Sequence, residues 1–307
     1  MKKILAIFAM LAMLGLVGKV TAETDTTCTR NIAGEIITNS STEPVTDTNG
    51  NTGQSCKEVP DFYKIKVFRF GLCEANPFPT NDLSSCSFFV NSDAGVEHVI
   101  TYPTEANLSI NKQMAVGTYG YMVLILDNRL GIKHTEQFSI PVFGATGSGQ
   151  QCWTINSTTS FVGQRSGVLQ ASPETPAMDC GDTPAPAYTY EIYDSMGLDD
   201  DEGGDGENPV FLATDDEGFE APSGKMYARL LKSDNVTTAT TFQDADRMLV
   251  SIALTTPKTI TVDSSFQLRF KMSDSVSVDL AYDDGVNRLY AIKNGADPFQ
   301  IDLVINN

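Results

Sequence analysis

A run of alternating side chains indicates that this chain forms β-sheets, and the run reads Tyr63-Lys64-Ile65-Lys66-Val67-Phe68-Arg69-Phe70. Successive side chains of a strand point to opposite faces, so apolar residues at every second position predict a strand with one buried face. Tyr63, Ile65 and Val67 share one face, whereas Phe68 and Phe70 fall on the other. This change of phase predicts a β-bulge or a strand that passes between two sheets.

Other segments show the same strand signals. Residues 266–272, 276–280 and 299–305 alternate between apolar and polar side chains, which is typical of half-buried antiparallel strands. Residues 121–126 are apolar throughout, which predicts a central strand covered on both faces, and we expect residues 132–140 to be its hairpin partner. The phrase Gly117-Thr118-Tyr119 before this run resembles the closing strands of Ig-like and transthyretin-like sandwiches.

The spacing of the turn signals, about 8 to 12 residues, is typical of sandwiches and jelly rolls. Apart from the first residues, no segment of 12 or more residues has an apolar stripe with the helical period. We therefore predict an all-β fold of tandem antiparallel β-sandwich domains, Ig-like or jelly-roll-like, stabilised by disulfides and preceded by a signal peptide.

Residues 1–22 have the pattern of a cleavable signal peptide. Lys2 and Lys3 precede an apolar stretch at 4–17, and small side chains end at Ala22. The stretch is shorter than the roughly 18 to 20 apolar residues of a membrane-spanning helix, although a retained N-terminal anchor is the alternative. We expect a secreted, extracellular or cell-surface protein, with the periplasm as another destination and no transmembrane segment after cleavage.

The predicted mature chain is strongly acidic. Loss of Lys2, Lys3 and Lys19 leaves 18 basic residues against 39 acidic ones, a formal charge of −21. Such a surface repels nucleic acid and anionic membranes and favours solubility, cation association or a salty medium. We expect no nucleic-acid partner.

Six cysteines fall in the predicted mature chain, and an even count in an exported chain predicts three disulfides. Six cysteines allow fifteen pairings. We expect sequential pairs, since each would close a turn-rich segment. There is no C-x-x-C motif, which argues against a metal site. The expected pairs are Cys28 with Cys56, Cys73 with Cys86, and Cys152 with Cys180.

Changes of composition divide the mature chain into four parts. Whether 61–187 and 188–307 form two sandwiches or one continuous sandwich stays open at this point. The predicted parts are a Thr/Asn/Ser-rich N-terminal extension (23–60), a first β-sandwich domain (61–170), a Pro-rich linker (171–187) and a second β-sandwich domain (188–307).

Residues 194–220 form an acidic loop with eleven acids and no lysine or arginine. Asp199, Asp201, Asp205 and Glu207 lie among glycines and are candidate Ca²⁺ ligands. The EF-hand spacing fails, because the twelfth position from Asp199 is valine. Two interpretations stay open, a calcium site or a solvated loop kept extended by self-repulsion. No other cofactor is expected.

The sequence contains no recognisable catalytic motif. The histidines, His98 and His134, lie in alternating strand patterns, and there is no nucleophile elbow, H-E-x-x-H or nucleotide-binding glycine loop. A carboxylate pair for glycoside hydrolysis needs a separation of roughly 5 to 10 Å, which sequence does not report. With Trp153 as the single tryptophan, aromatic platforms for sugars are few. We therefore expect no enzyme.

The expected function is that of a secreted or cell-surface, non-enzymatic structural or adhesive protein, such as an appendage, matrix or virion-like surface component. Its expected partners are other protein subunits, including copies of itself, or surface glycans. We expect the strand at 299–305 to lie at a sheet edge, where it could pair with another subunit. The alternative is an exported protein that binds, or hydrolyses, a glycan or another polymer.

Overall fold

A computed structural model describes residues 27–101, 108–110, 114–160, 165–194, 219–221, 224–272, 274–296 and 300–306. Within these ranges the chain is all-β and has no α-helix, as the alternating patterns predict. The strands are β1 (Val45–Thr46), β2 (Thr52–Gly53), β3 (Ser55–Glu58), β4 (Phe62–Cys73), β5 (Cys86–Thr101), β6 (Leu108–Ile110), β7 (Gly117–Asp127), β8 (Arg129–Lys133), β9 (Thr135–Phe143), β10 (Ser148–Thr154), β11 (Thr158–Ser160), β12 (Met178–Gly181), β13 (Thr189–Ile192), β14 (Phe219–Ala221), β15 (Gly224–Leu231), β16 (Arg247–Ile260), β17 (Ser265–Lys271), β18 (Val276–Asp283), β19 (Arg288–Ala296) and β20 (Gln300–Asn306).

The largest sheet has nine strands and is built around β4. β4 pairs with β5 along one edge and with β7 and β8, which follow each other directly in sequence, along the other. Beyond β7 lie β16, β15 and β14, and beyond β8 lie β13 and β11. The N-terminal half of β4 therefore pairs with β8, and its C-terminal half pairs with β7.

A six-stranded sheet has the order β12-β10-β9-β19-β18-β3, and a three-stranded sheet has the order β20-β17-β6. Together with the nine-stranded sheet they enclose one large apolar core in a sandwich-like arrangement. The strand predicted at 299–305 corresponds to β20, which lies at one edge of its sheet.

A second, smaller core lies on the other face of the nine-stranded sheet, where Val123 and Ile125 pack with Leu249. Met122 and Leu124, which alternate with them, belong to the large core. The prediction that 121–126 is covered on both faces is therefore confirmed. The expected hairpin with 132–140 is wrong, because β7 pairs with β4 and β16 instead.

The phase change in the first alternating run is a β-bulge. The pairing of β4 with both neighbours shifts register between Val67 and Arg69. The extra residue returns Phe70 to the large core beside Val67, and only Phe68 belongs to the smaller core on the opposite face. The bulge prediction is thus confirmed, whereas the expectation that Phe68 and Phe70 share a face is wrong, because the extra residue of the bulge turns Phe70 back to the face of Val67.

The two predicted sandwich ranges contribute strands to the same sheets. β16 pairs with β7, and β13 pairs with β8. The predicted linker at 171–187 contains β12, and the described part of the N-terminal extension buries Ile36 and Val45 in the large core. These pairings interleave the ranges 61–170 and 188–307.

The three expected disulfides are all present, as Cys28–Cys56, Cys73–Cys86 and Cys152–Cys180. The second and third join residues that lie directly opposite each other on paired strands. Three disulfides are consistent with an oxidising or extracellular compartment. The predicted signal peptide at 1–22 lies outside the described residues, and among those described no helix is long and apolar enough to cross a membrane.

Candidate functional site: a basic and aromatic sheet face

The outer face of β4, β8 and β13 carries cationic and aromatic side chains side by side. The inner face of these strands buries Tyr63 and Ile65 on β4 and Leu130 and Ile132 on β8. Because side chains alternate, the residues between them point outward. We call the outward set the basic face, and it consists of Phe62, Lys64, Arg129, Lys133, Tyr188 and Tyr190.

Strand register places these side chains in rows across the sheet. Tyr190 lies opposite Gly131, which in turn lies opposite Lys64. A Cβ atom on Gly131 would lie 2.8 Å from Cε1 of Tyr190 and 3.3 Å from Cβ of Lys64. The missing side chain therefore gives the tyrosine ring room to lie across β8 toward the lysine. In the next row Phe62 lies opposite Lys133.

Each cation of the basic face lies over an aromatic ring. The Lys64 ammonium is 4.1 Å from the centre of the Tyr188 ring, and the Lys133 ammonium is 4.2 Å from that of Phe62. The Arg129 guanidinium is 4.1 Å from the centre of the Tyr190 ring. Such contacts are worth about 0.5–1 kcal/mol at exposed sites. They hold long, flexible side chains against the sheet.

A shallow groove of about 190 Å³ runs along the edge of this face and brings in Lys66, Glu97 and Asp127. Lys64 Nζ lies 3.3 Å from Glu97 Oε1. Burial works against the charged form of Lys64, but the contacts with Glu97 and Tyr190 outweigh burial and raise its pKa. Burial raises the pKa of Asp127, and the nearby cations only partly offset it. Among the described residues, Lys66 and Lys133 have no carboxylate oxygen within 4.0 Å.

The charge of this region contrasts with the charge of the chain. The basic face and its groove hold four cations and two carboxylates, whereas the predicted mature chain carries a formal charge of −21. A local excess of cations on an acidic body produces a field that orients an approaching anion toward one surface. This contrast makes the region the candidate binding surface.

A second group of charged residues lies between the N-terminal segment and β9. Arg30 Nη2 contacts Glu136 Oε2 at 2.8 Å and Glu58 Oε2 at 2.9 Å. His134 Nε2 lies 2.9 Å from Glu136 Oε1, and Nδ1 lies 3.5 Å from Asp61 Oδ2. His134 Nε2 has no hydrogen-bond partner, so its contact with Glu136 is an ion pair.

The pKa values in this cluster reflect opposing effects. Burial by itself would lower the pKa of His134, but the carboxylates of Asp61 and Glu136 outweigh burial and raise the pKa to about 9. Burial raises the pKa of Glu58, and Arg30 offsets this only in part. The side chains of Glu58 and Glu136 are only 9% and 4% exposed. A polymer cannot reach these acids, and we interpret the cluster as the ion-pair network that attaches residues 27–58 to the sheet.

Sequence reasoning singled out other residues. Asp199, Asp201, Asp205 and Glu207 are outside the described residues, so both interpretations of the acidic loop remain predictions. His98 lies on β5, where burial lowers its pKa and leaves Nε2 without a hydrogen-bond partner. Across the described ranges, no group of three or more His, Cys, Asp or Glu side chains is placed to hold a metal ion.

Sequence reasoning missed the basic face. Its one local signal is the lysine pair at 64 and 66 between aromatic residues, which reads equally well as a solvated strand face. Lys133 and Tyr188 join that pair only through sheet pairing, and their spacing in sequence does not reveal it.

Fold and site together define a disulfide-linked, all-β, sandwich-like protein with a basic and aromatic face on an otherwise acidic chain. No protein-family model matches this chain, and comparisons with curated proteins and with solved structures give no match either. Its function is therefore argued from its own geometry.

Proposed function

We propose that this protein is an exported, non-enzymatic adhesive or structural component that holds an anionic extracellular partner on its basic face. The surface would belong to an appendage, a matrix or a virion-like coat. The observation that carries the proposal is the row of cations stacked on rings along β4, β8 and β13. Sheet pairing holds these groups in place, so they require little ordering when a partner binds.

A hydrolytic role, which is the alternative from the sequence, has less support than the adhesive role. The buried acids Glu58 and Glu136 are both paired with Arg30 and are out of reach of a polymer. On the accessible groove, Glu97 is in contact with Lys64. General acid catalysis needs a carboxyl group that is protonated and within reach of the substrate. Asp127 lines the groove and has a raised pKa, but Arg247 lies 3.8 Å from its carboxylate and favours the ionised form.

Retention of the secreted protein on immobilised polyanions tests the proposal. We expect the wild type to bind an anionic surface more strongly than an uncharged one of the same backbone, and to lose affinity as salt rises. The double variant Arg129→Gln/Lys133→Gln should bind at least tenfold more weakly, because two stacked cations near the centre of the face are lost.

The matched control is Lys258→Gln/Arg288→Gln. It removes the same charge from exposed positions on other strands, and Arg288 also lies over a ring, that of Phe143. Equal losses of affinity in both double variants would mean that total charge governs binding, and the basic face would then have no special role. Melting temperatures of all variants would show whether each is folded.

The calcium interpretation of the acidic loop has its own test. If Asp199, Asp201, Asp205 and Glu207 bind Ca²⁺, titration calorimetry should show heat at millimolar ion or below, and the melting temperature should rise with Ca²⁺. A variant with Asn and Gln at these four positions should lose both effects. No heat and no change in melting temperature for the wild type would leave only the solvated-loop interpretation.

A further inference from the structure

We infer that the groove beside the basic face binds a uronic acid unit of an acidic polysaccharide. This inference rests on the proposed adhesive function and specifies the chemical class of its partner. The groove is formed by β4, β5, β7, β8 and β13. Its lining consists of Lys64, Ile65, Lys66, Glu97, Asp127, Arg129 and Tyr190.

The charges of the groove suit a ligand with one carboxylate and several hydroxyl groups. Lys64, Lys66 and Arg129 can attract a carboxylate. Glu97 and Asp127 can accept hydrogen bonds from hydroxyl groups, but they repel further negative charge. A densely charged polyanion would place several anions near these two acids, whereas a uronic acid offers one anion and a ring of hydroxyls.

The rings of Tyr188 and Tyr190 supply a stacking surface for such a unit. Their centres lie 6.3 Å apart, and their planes are inclined by 31°. One face of each ring is covered by a cation. Both side chains are half-buried, so the surface left for stacking is the part of each ring that stays exposed. A tyrosine ring offers an apolar surface with a polar tip, and the C–H face of a sugar ring packs on such a surface. An acidic polypeptide has anions but no comparable flat units along its length.

The volume of the groove and the acidic charge of the whole chain also favour a uronic acid unit. A groove of about 190 Å³ is smaller than the roughly 300–1,000 Å³ of a drug-sized pocket and suits one ring of a polymer that continues along the surface. The formal charge of −21 on the predicted mature chain repels dense polyanions at long range, so a polymer with one carboxylate per sugar ring is favoured over one with several.

Three polymers of matched length separate the possible partners. Polygalacturonate carries both rings and carboxylates, its methyl ester carries rings without charge, and poly-L-glutamate carries carboxylates without rings. We expect the wild type to bind polygalacturonate at least tenfold more tightly than either of the others. In addition, the double variant Tyr188→Leu/Tyr190→Leu should weaken polygalacturonate binding about tenfold and change poly-L-glutamate binding less than twofold.

Tyr282→Leu on β18 is the aromatic control, and it should leave all three affinities unchanged. Binding of poly-L-glutamate as tight as that of polygalacturonate, with the tyrosine variant indistinguishable from wild type, would overturn the sugar inference and leave the adhesive function standing. No binding of any of the three polymers, with Arg129→Gln/Lys133→Gln equal to wild type, would contradict both.

Discussion

Gly131 is the residue on which the basic face depends most directly. It lies between Tyr190 and Lys64 in one row of the sheet. A glycine within a strand often marks a place where another group approaches closely, and here the approaching group is the Tyr190 ring. The residue at 131 therefore determines where the stacked pair of Tyr190 and Arg129 can lie.

The variant Gly131→Ala tests this dependence. The added Cβ would meet Tyr190 Cε1 at 2.8 Å, so we expect the ring to move and polyanion affinity to fall several-fold. Overpacking should also cost about 1–2 kcal/mol of unfolding free energy. Gly120→Ala on β7 is the control, since its added Cβ would meet no atom closer than 3.7 Å. Unchanged polyanion affinity in Gly131→Ala would show that the position of the ring does not matter for binding.

His134 gives stability a defined pH dependence. Its pKa is about 9 in the folded state and 6.5 in the unfolded chain, so the folded protein binds this proton more tightly. The resulting stabilisation is complete below pH 6.5 and is lost as pH rises through about 9. Its size is on the order of 3 kcal/mol. Denaturant unfolding between pH 6 and 9.5 should show this decline.

The variant His134→Gln isolates the histidine. It cannot take up a proton, so its unfolding free energy should be nearly flat over the same pH range. The wild-type advantage over the variant should therefore shrink as pH rises. A constant difference between the two proteins from pH 6 to 9.5 would show that the carboxylates of Asp61 and Glu136 do not hold the proton on His134.

At the scale of the strand, local patterns predicted much of what the structure shows. The alternation around Tyr63 and the bulge near Phe68 follow from side-chain periodicity, and the double burial of 121–126 follows from its unbroken apolar run. The partner of β7 could not be predicted. Leu126 pairs with Met248, 122 residues away, and an apolar strand fits many partners equally well. The basic face escaped prediction for the same reason, since it exists only after β13 pairs with β8.

The disulfides should contribute according to the loops that they close. Cys73–Cys86 has a separation of 13 residues and Cys28–Cys56 one of 28. Loop entropy predicts that replacing both cysteines of a pair by alanine costs about 3 kcal/mol for the shorter loop and about 3.6 kcal/mol for the longer one. Denaturant midpoints of the two double variants check the order.

The Cys28–Cys56 variant should also show a local effect. Without this bridge, residues 27–58 are held by strand pairing and the Arg30 ion pairs, so their amide hydrogens should exchange faster than those of β7. The Cys73→Ala/Cys86→Ala variant is the comparison and should leave exchange in 27–58 unchanged. Equal exchange in both variants would mean that the bridge does not hold the segment.

At the scale of the whole molecule, interleaved strands predict one unfolding unit. The ranges 61–170 and 188–307 share their sheets through pairs such as β7 with β16, so neither range can bury its own apolar surface alone. Calorimetry should therefore show a single transition whose calorimetric and van't Hoff enthalpies agree. Two separate transitions, or a folded and monomeric fragment 61–170, would favour two independent sandwiches.

Salt should have opposite effects on folding and on binding. Screening weakens the self-repulsion of an acidic chain whose predicted mature form has a formal charge of −21, so the melting temperature should rise between low and moderate salt. The same screening weakens attraction between the basic face and an anionic polymer, so retention should fall over that range. A melting temperature that does not change with salt would mean that self-repulsion contributes little to stability.

The pairing of β3 with β18 brings Cys56 opposite Val278, and this has a consequence for how the chain reaches its folded state. Strand β3 leaves the ribosome long before its partner, which is synthesised more than two hundred residues later. During that interval the apolar run at 121–126 lacks β16, one of its two neighbouring strands, and contacts this distant in sequence form slowly. We therefore expect nascent chains to need a chaperone that prevents unpaired strands of different chains from pairing with each other.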